Sequence, residues 1–191
     1  MTDTKSLHSF GLLRKHAVLA HGCLLEESDL DLISQVGAGV AHCPLSNIYF
    51  GDAVFPLRRA LDHNVVVGLG TDIAGGPSPS LISQAARAID VSRQLENGVD
   101  QRVGPDERGV DDSRITATTA FYLATLGGAE VLGEPLGLLE PGRRFDAVAI
   151  SMERIDHVPD GDQRERQFEK LVRLAGKGDI TGVWVSGRQV V

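Results

Sequence analysis

Three short apolar runs recur along the first half of the chain, and each ends on a polar side chain capable of chemistry. They read Ala17-Val18-Leu19-Ala20 before His21, Gly39-Val40-Ala41 before His42, and Val65-Val66-Val67-Gly68-Leu69-Gly70-Thr71 before Asp72. The last run lacks polar alternation, which marks a strand covered on both faces, and the first reads as a buried strand ending in a functional loop. Helical patterns separate them. Residues 26–36 open with Glu26, Glu27 and Asp29, where the helix dipole favours acids. Leu25, Leu32, Ile33 and Val36 trace one face, with Asp29 the exception, and Gly37 or Gly39 can stop the helix. Residues 55–63 place Phe55, Leu57, Ala60 and Leu61 inward and Arg58 and Arg59 outward, and Asn64 ends them. Residues 46–51 read as a loop. Strand, helix, strand, helix, strand is the order of a parallel α/β sheet, in a barrel or an open sheet. In both, chemistry sits at the carboxyl ends of the strands.

Beyond residue 80 the texture changes. A helix is expected over 80–93, a polar surface loop over 96–112, and a helix from a Ser113 cap to 126. Gly127-Gly128 is expected to interrupt that helix before one more turn at 129–132. A strand follows at 145–150, then a charged stretch over 153–169, exposed or poorly ordered. Residues 183–191 read as a hairpin turning at Ser186-Gly187. The expected division is an α/β part over 1–133 and a small β piece over 134–191.

Composition narrows the function. Lys and Arg number 19 against 26 Asp and Glu, a net charge of −7. Nucleic-acid binding needs a basic footprint, and so does adhesion to an anionic membrane, so neither partner is expected. No run approaches the ~18 apolar residues of a membrane span, and the first ten residues hold no apolar signal core. Two cysteines, Cys23 and Cys43, make no disulfide framework and suit a reducing, cytoplasmic setting. Glycine is frequent, at 22 of 191 residues, which fits short turns between strands and helices.

His21 and His42, at corresponding strand ends, each read as a core histidine or a site histidine. Asp72 reads as a site carboxylate or as the cap of the next helix. A carboxylate and a histidine converging at strand ends could bind Zn²⁺ or position its hydroxide. Two other sites fail on spacing. A dinucleotide fingerprint starting Gly68-Leu69-Gly70 needs a third glycine at position 73, which is Ile73. The zinc nucleobase deaminases need His-x-Glu and Cys-x-x-Cys, and neither occurs. His8, His16, His63 and His157 lie in polar or helix-end settings and are expected to be structural or solvated.

Taken together, several segments resemble the guanine deaminases of the amidohydrolase superfamily. They are Ala20-His21-Gly22, Ala41-His42-Cys43-Pro44-Leu45-Ser46-Asn47 and Gly68-Leu69-Gly70-Thr71-Asp72-Ile73-Ala74-Gly75-Gly76. Ala124-Thr125-Leu126-Gly127-Gly128-Ala129, Leu136-Gly137-Leu138-Leu139-Glu140-Pro141-Gly142 and residues 182–191 extend the likeness over essentially the whole chain. The resemblance implies a metal-dependent (β/α)₈ barrel with a small β-sandwich. In that family a Zn²⁺-activated hydroxide attacks C2 of guanine, ammonia leaves and xanthine forms. Asp72 matches the metal-ligating aspartate after the eighth strand, which also handles the proton of the attacking water. His21 matches the histidine after the sixth strand, which polarises or orients the substrate. His42 lies on the seventh, with no role carried over.

The resemblance also implies what is missing. The family's His-x-His pair, its fifth-strand histidine and its glutamate proton shuttle have no counterpart among the 191 residues. Residues 7–13 resemble the connector before strand six. The chain is therefore expected to hold about strands 6–8 of the barrel with an appended β-sandwich piece, and to be inactive alone. A fragment, a truncated frame and one half of a split protein all fit this. Its partners would be a purine substrate and either a missing N-terminal half or, for the complete enzyme, a second copy in a homodimer. The alternatives are a non-catalytic subunit of a split amidohydrolase, or a related enzyme acting on another amino-purine, a pterin or a triazine.

Overall fold

A computed structural model describes residues 2–50, 53–156 and 164–191. The three apolar runs form β1 (Val18–Ala20), β2 (Gly39–His42) and β3 (Val66–Leu69). They pair in parallel in sequence order, with Ala20 beside Ala41 and His42 beside Leu69. Between them stand α2 (Glu27–Val36), α3 (Pro44–Phe50) and α4 (Leu57–Asp62); α1 (Asp3–Ser9) precedes β1. Leu30 and Ile33 from α2, Ala60 from α4, and Val40 and Val67 from the sheet are fully buried together. Glycine does stop α2: Gly37 adopts φ 73°. Asp29, the polar exception on the α2 face, is buried because its carboxylate has two donors. Thr2 Oγ1 donates to Oδ1 at 2.5 Å and the Glu26 amide to Oδ2 at 3.2 Å.

Five local expectations are corrected. Residues 46–51 are not wholly loop: residues through Phe50 belong to α3. Pro44 suits a first helical turn, where its missing N–H costs nothing. The Asn47 amide donates back to the Cys43 carbonyl at 2.9 Å, and the Leu45 amide donates to Gln84 Oε1 at 3.2 Å. The helix after β3 runs further than expected, as α5 (Leu81–Asn97), with Ser80 Oγ accepting from the Ser83 amide. Ser113 does not cap the next helix. Its hydroxyl donates to the Val110 carbonyl, while Thr116 caps α6 (Ala117–Tyr122).

Nor does Gly127-Gly128 break that helix. A π-helical turn (Leu123–Gly127) carries it into α7 (Gly128–Leu132). The glycines serve contact with β3: a Cβ on Gly68 would fall 2.7 Å from Gly128 Cα. The fifth correction concerns the charged stretch. Residues 157–163, with His157, lie outside the described residues, but α8 (Arg164–Leu174) is ordered against α5 and α6. Phe168 meets Phe121 edge-on at 5.2 Å, and Arg173 Nη2 donates to Asp90 Oδ1 at 2.8 Å. Its apolar stripe is short and hidden among charges, which is why composition alone conceals it.

The C-terminal strands form a separate antiparallel sheet: β4 (Ala147–Ile150), β5 (Ile180–Val185) and β6 (Arg188–Gln189). The hairpin turns at Ser186-Gly187 as expected. No helix among the described residues is long and apolar enough to cross a membrane.

Candidate active site

Parallel pairing places all three strand ends on one side of the sheet. The ladder continues just past the strands: the His21 amide donates to the Ala41 carbonyl at 3.0 Å, and the Gly70 amide to the His42 carbonyl at 2.9 Å. These bonds fix where the backbone leaves the sheet. It then turns sharply, with His21 at φ 67° and Asp72 at φ 48°. Left-handed backbone at a non-glycine residue is uncommon and clusters at sites where side chains must be aimed.

The turns bring His21 and Asp72 together. His21 Nε2 lies 3.7 Å from Asp72 Oδ2, and both side chains are partly open to solvent. Ser46 Oγ donates to Asp72 Oδ2 at 2.6 Å, and His21 Nδ1 lies 2.9 Å from Asn47 Oδ1. The loop after Asp72 wraps its carboxylate closely, since a Cβ on Gly75 would stand 2.6 Å from Oδ2. A cavity of about 530 Å³ borders His21, Asp72, Ser46, Asn47, Asp29 and Phe50.

His42 stays out of this cavity. It is 1% exposed and packs against Phe55, with ring centroids 5.2 Å apart. Burial, with a smaller contribution from His21, pushes its pKa down to about 3, so it is neutral near pH 7. Burial also raises the thiol pKa of Cys23 and of Cys43, the latter helped by Asp72. Ser46 and Asn47 escape a reading by residue type, because serine and asparagine after proline signal a turn. The available hint was Pro44, which is as much a helix starter as a breaker.

A catalytic zinc takes three protein ligands and a water. Asp72 offers one carboxylate and His21 one unengaged ring nitrogen. No group of three His, Cys, Asp or Glu side chains that could hold a metal occurs among the described residues. The residues present therefore do not fit a complete zinc site.

The chain matches the amidohydrolase family over residues 1–190. It belongs to that family. Guanine deaminase from Mus musculus is 36% identical over 189 residues, which cover 94% of this chain and 39% of the mouse protein. The E. coli guanine deaminase structure aligns with a TM-score of 0.80 at 30% identity, over 97% of this chain and 40% of that one. A guanine deaminase from C. acetobutylicum, solved with guanine in its active site, aligns with a TM-score of 0.81 at 26% identity, over 98% and 42%. The amidohydrolase fold is thus present over part of its extent: the chain spans well under half the length of these relatives.

Proposed function

We propose that this chain forms the strand-six-to-eight portion of a guanine deaminase-like aminohydrolase, a hydrolase of C–N bonds in cyclic amidines. Residues 1–133 are its partial barrel, and residues 134–191 contribute the strands of its small β domain together with α8, which packs back on α5 and α6. The observation that carries the reading is the convergence of His21 and Asp72 at 3.7 Å, from two strand ends of one parallel sheet. It supports assigning them the roles the sequence resemblance implies, in a chain that resembles guanine deaminases over most of its own length and about 40% of theirs. The substrate is then guanine, with xanthine and ammonia as products. The Asp72 carboxylate takes the proton of the attacking water, and His21 faces the substrate through Nε2. Zinc belongs to the same reading, with Asp72 the ligand this chain would contribute and the others supplied by the portion of its relatives that this chain does not span. A cytoplasmic setting and a homodimer of the complete enzyme go with it.

The test measures ammonia released from guanine. The purified chain with zinc should give no release above background. Adding a polypeptide that carries the amino-terminal portion of the E. coli relative should give turnover. In that pair Asp72→Asn should abolish activity, and His21→Ala should lower it roughly 10²-fold, as loss of a transition-state partner does. Steady release by the chain alone, lost in Asp72→Asn, would overturn the claim that it needs a complement. A reconstituted pair that turns over a triazine or pterin but not guanine would move the substrate.

A further inference from the structure

One turn of α3 carries two consecutive side chains, Ser46 and Asn47, that the reaction described above does not use. They are 1% and 6% exposed. Ser46 holds Asp72, which follows β3, and Asn47 holds His21, which follows β1. A single helical turn thereby sets the orientation of both groups. An amide oxygen can only accept, so with Asn47 Oδ1 facing the ring at 2.9 Å, this contact is a hydrogen bond when Nδ1 carries the hydrogen. A neutral imidazole has one such hydrogen, which leaves Nε2 with a lone pair.

We propose that Asn47 is a positioning residue that pins the proton of neutral His21 on Nδ1, while Ser46 holds Asp72 opposite, so that Nε2 faces the cavity as an acceptor. The 3.7 Å between Nε2 and Asp72 Oδ2 is too long for a hydrogen bond, and in the Nδ1–H tautomer both atoms are acceptors. A neutral guest between them must donate to both, as a water or an amine does. Asn47 is buried with its Nδ2 unpartnered. An apolar side chain would fill that space without an orphaned donor, so packing alone gives no reason for an amide here. The proposal rests on His21 being a site residue, but not on zinc or guanine.

The experiment is long-range ¹H–¹⁵N correlation spectroscopy of the imidazoles in the ¹⁵N-labelled full chain, in mildly alkaline buffer. His63 is an internal control, since its Nδ1 lies 2.7 Å from Asp31 Oδ1, remote in sequence from Asn47. The expected spectrum puts the His21 proton on Nδ1. In Asn47→Leu the pattern should invert to the Nε2–H form that a free imidazole prefers, with His63 unchanged. Asn47→Asp keeps an acceptor and should restore Nδ1–H. Ser46→Ala should leave the His21 form as it is. Should Asn47→Leu unfold, shown by a changed His63, Asn47→Ala, which also lacks an acceptor, is read in its place with the same expectation. A wild-type proton on Nε2, which corresponds to the amide turned over, overturns the proposal. So does an unchanged His21 in the folded Asn47 variant, and so does inversion in Ser46→Ala, which would reduce the effect to general packing. An inactive reconstituted enzyme leaves the tautomer result intact, and a wrong tautomer leaves the deaminase reading intact.

Discussion

The sheets β1–β3 and β4–β6 have three strands each but bury their residues very differently. In β2 three of four residues are buried, in β3 two of four, and in the edge strand β1 none. In β4 and β6 none is, and in β5 only Gly182 is. Helices account for the contrast. The α6–α7 segment with its π turn, together with α4 and α5, packs on β3, and α7 also reaches β2. Val148 and Val185 of the second sheet remain about half exposed. The comparison teaches where precision can be stored. Side chains aimed from the ends of a strand locked on both faces keep their direction, whereas a half-covered strand transmits less restraint. Asp72 follows the buried β3, whereas His21 follows β1, which has no buried residue and is held by pairing with β2, and the groups that hold both side chains come from a helix between β2 and β3.

The sharpest way to break this comparison is to add volume where the covered sheet has none. A side chain at Gly68 would meet the Gly128 backbone, which cannot give way without moving the whole helical segment off β3. Gly68→Leu should therefore cost more than about 4 kcal/mol or prevent folding, the range reserved for severe core disruption. Urea denaturation followed by circular dichroism measures it. A loss below about 1 kcal/mol would mean that the helix–sheet contact is loose and the covered sheet is not the rigid part.

What the sequence displays of this arrangement divides along the same line. The buried strands were legible because a run such as Val65-Val66-Val67 has few other homes. His21 and Asp72 were legible because they terminate such runs. The C-terminal hairpin was legible from Ser186-Gly187. Ser46 and Asn47 were not, since their partners lie 26 residues away in sequence and only the closed sheet brings them into reach. Gly127-Gly128 misled for a related reason. A glycine kept for close approach looks the same in sequence as one kept for a turn, and only the neighbouring Gly68 distinguishes them. Helix α8 was obscured by its charges, which say nothing of Phe168, Leu171 and Val172 on its inner face.

A second measurement sharpens the contrast through pH, because the covered sheet contains a buried titratable group. His42 in the folded chain takes a proton only near pH 3, against about 6.5 in the unfolded chain. Between those values the unfolded state binds more protons, so stability falls as pH falls below about 6.5 and this contribution levels off below about 3. The slope approaches 1.4 kcal/mol per pH unit, or about 2 kcal/mol lost by pH 5. Comparing the acid branch of stability in wild type and His42→Leu isolates it, since other acidic groups titrate in both. The leucine variant should be flatter across this window. Equal slopes would show that His42 is hydrated in the folded chain and the strand less covered than the packing against Phe55 indicates.

The finest test makes one chemical change in both sheets. Val→Thr keeps the β-branch and nearly the shape, exchanging a methyl group for a hydroxyl. At Val67 in β3, fully buried, the hydroxyl loses water and has only backbone already committed to the ladder nearby, so Val67→Thr should cost about 1–3 kcal/mol. At Val148 in β4, 53% exposed, the hydroxyl stays hydrated while the strand preference is kept. Val148→Thr should then fall within about 0.5 kcal/mol of wild type. Paired thermal or urea melts of the two variants read the difference directly. If Val148→Thr cost as much as Val67→Thr, that face of β4 would have to be covered in solution, and the second sheet would have an apolar neighbour beyond those described. A cost confined to Val67 leaves the contrast standing and localises it to the helix-covered faces of β2 and β3.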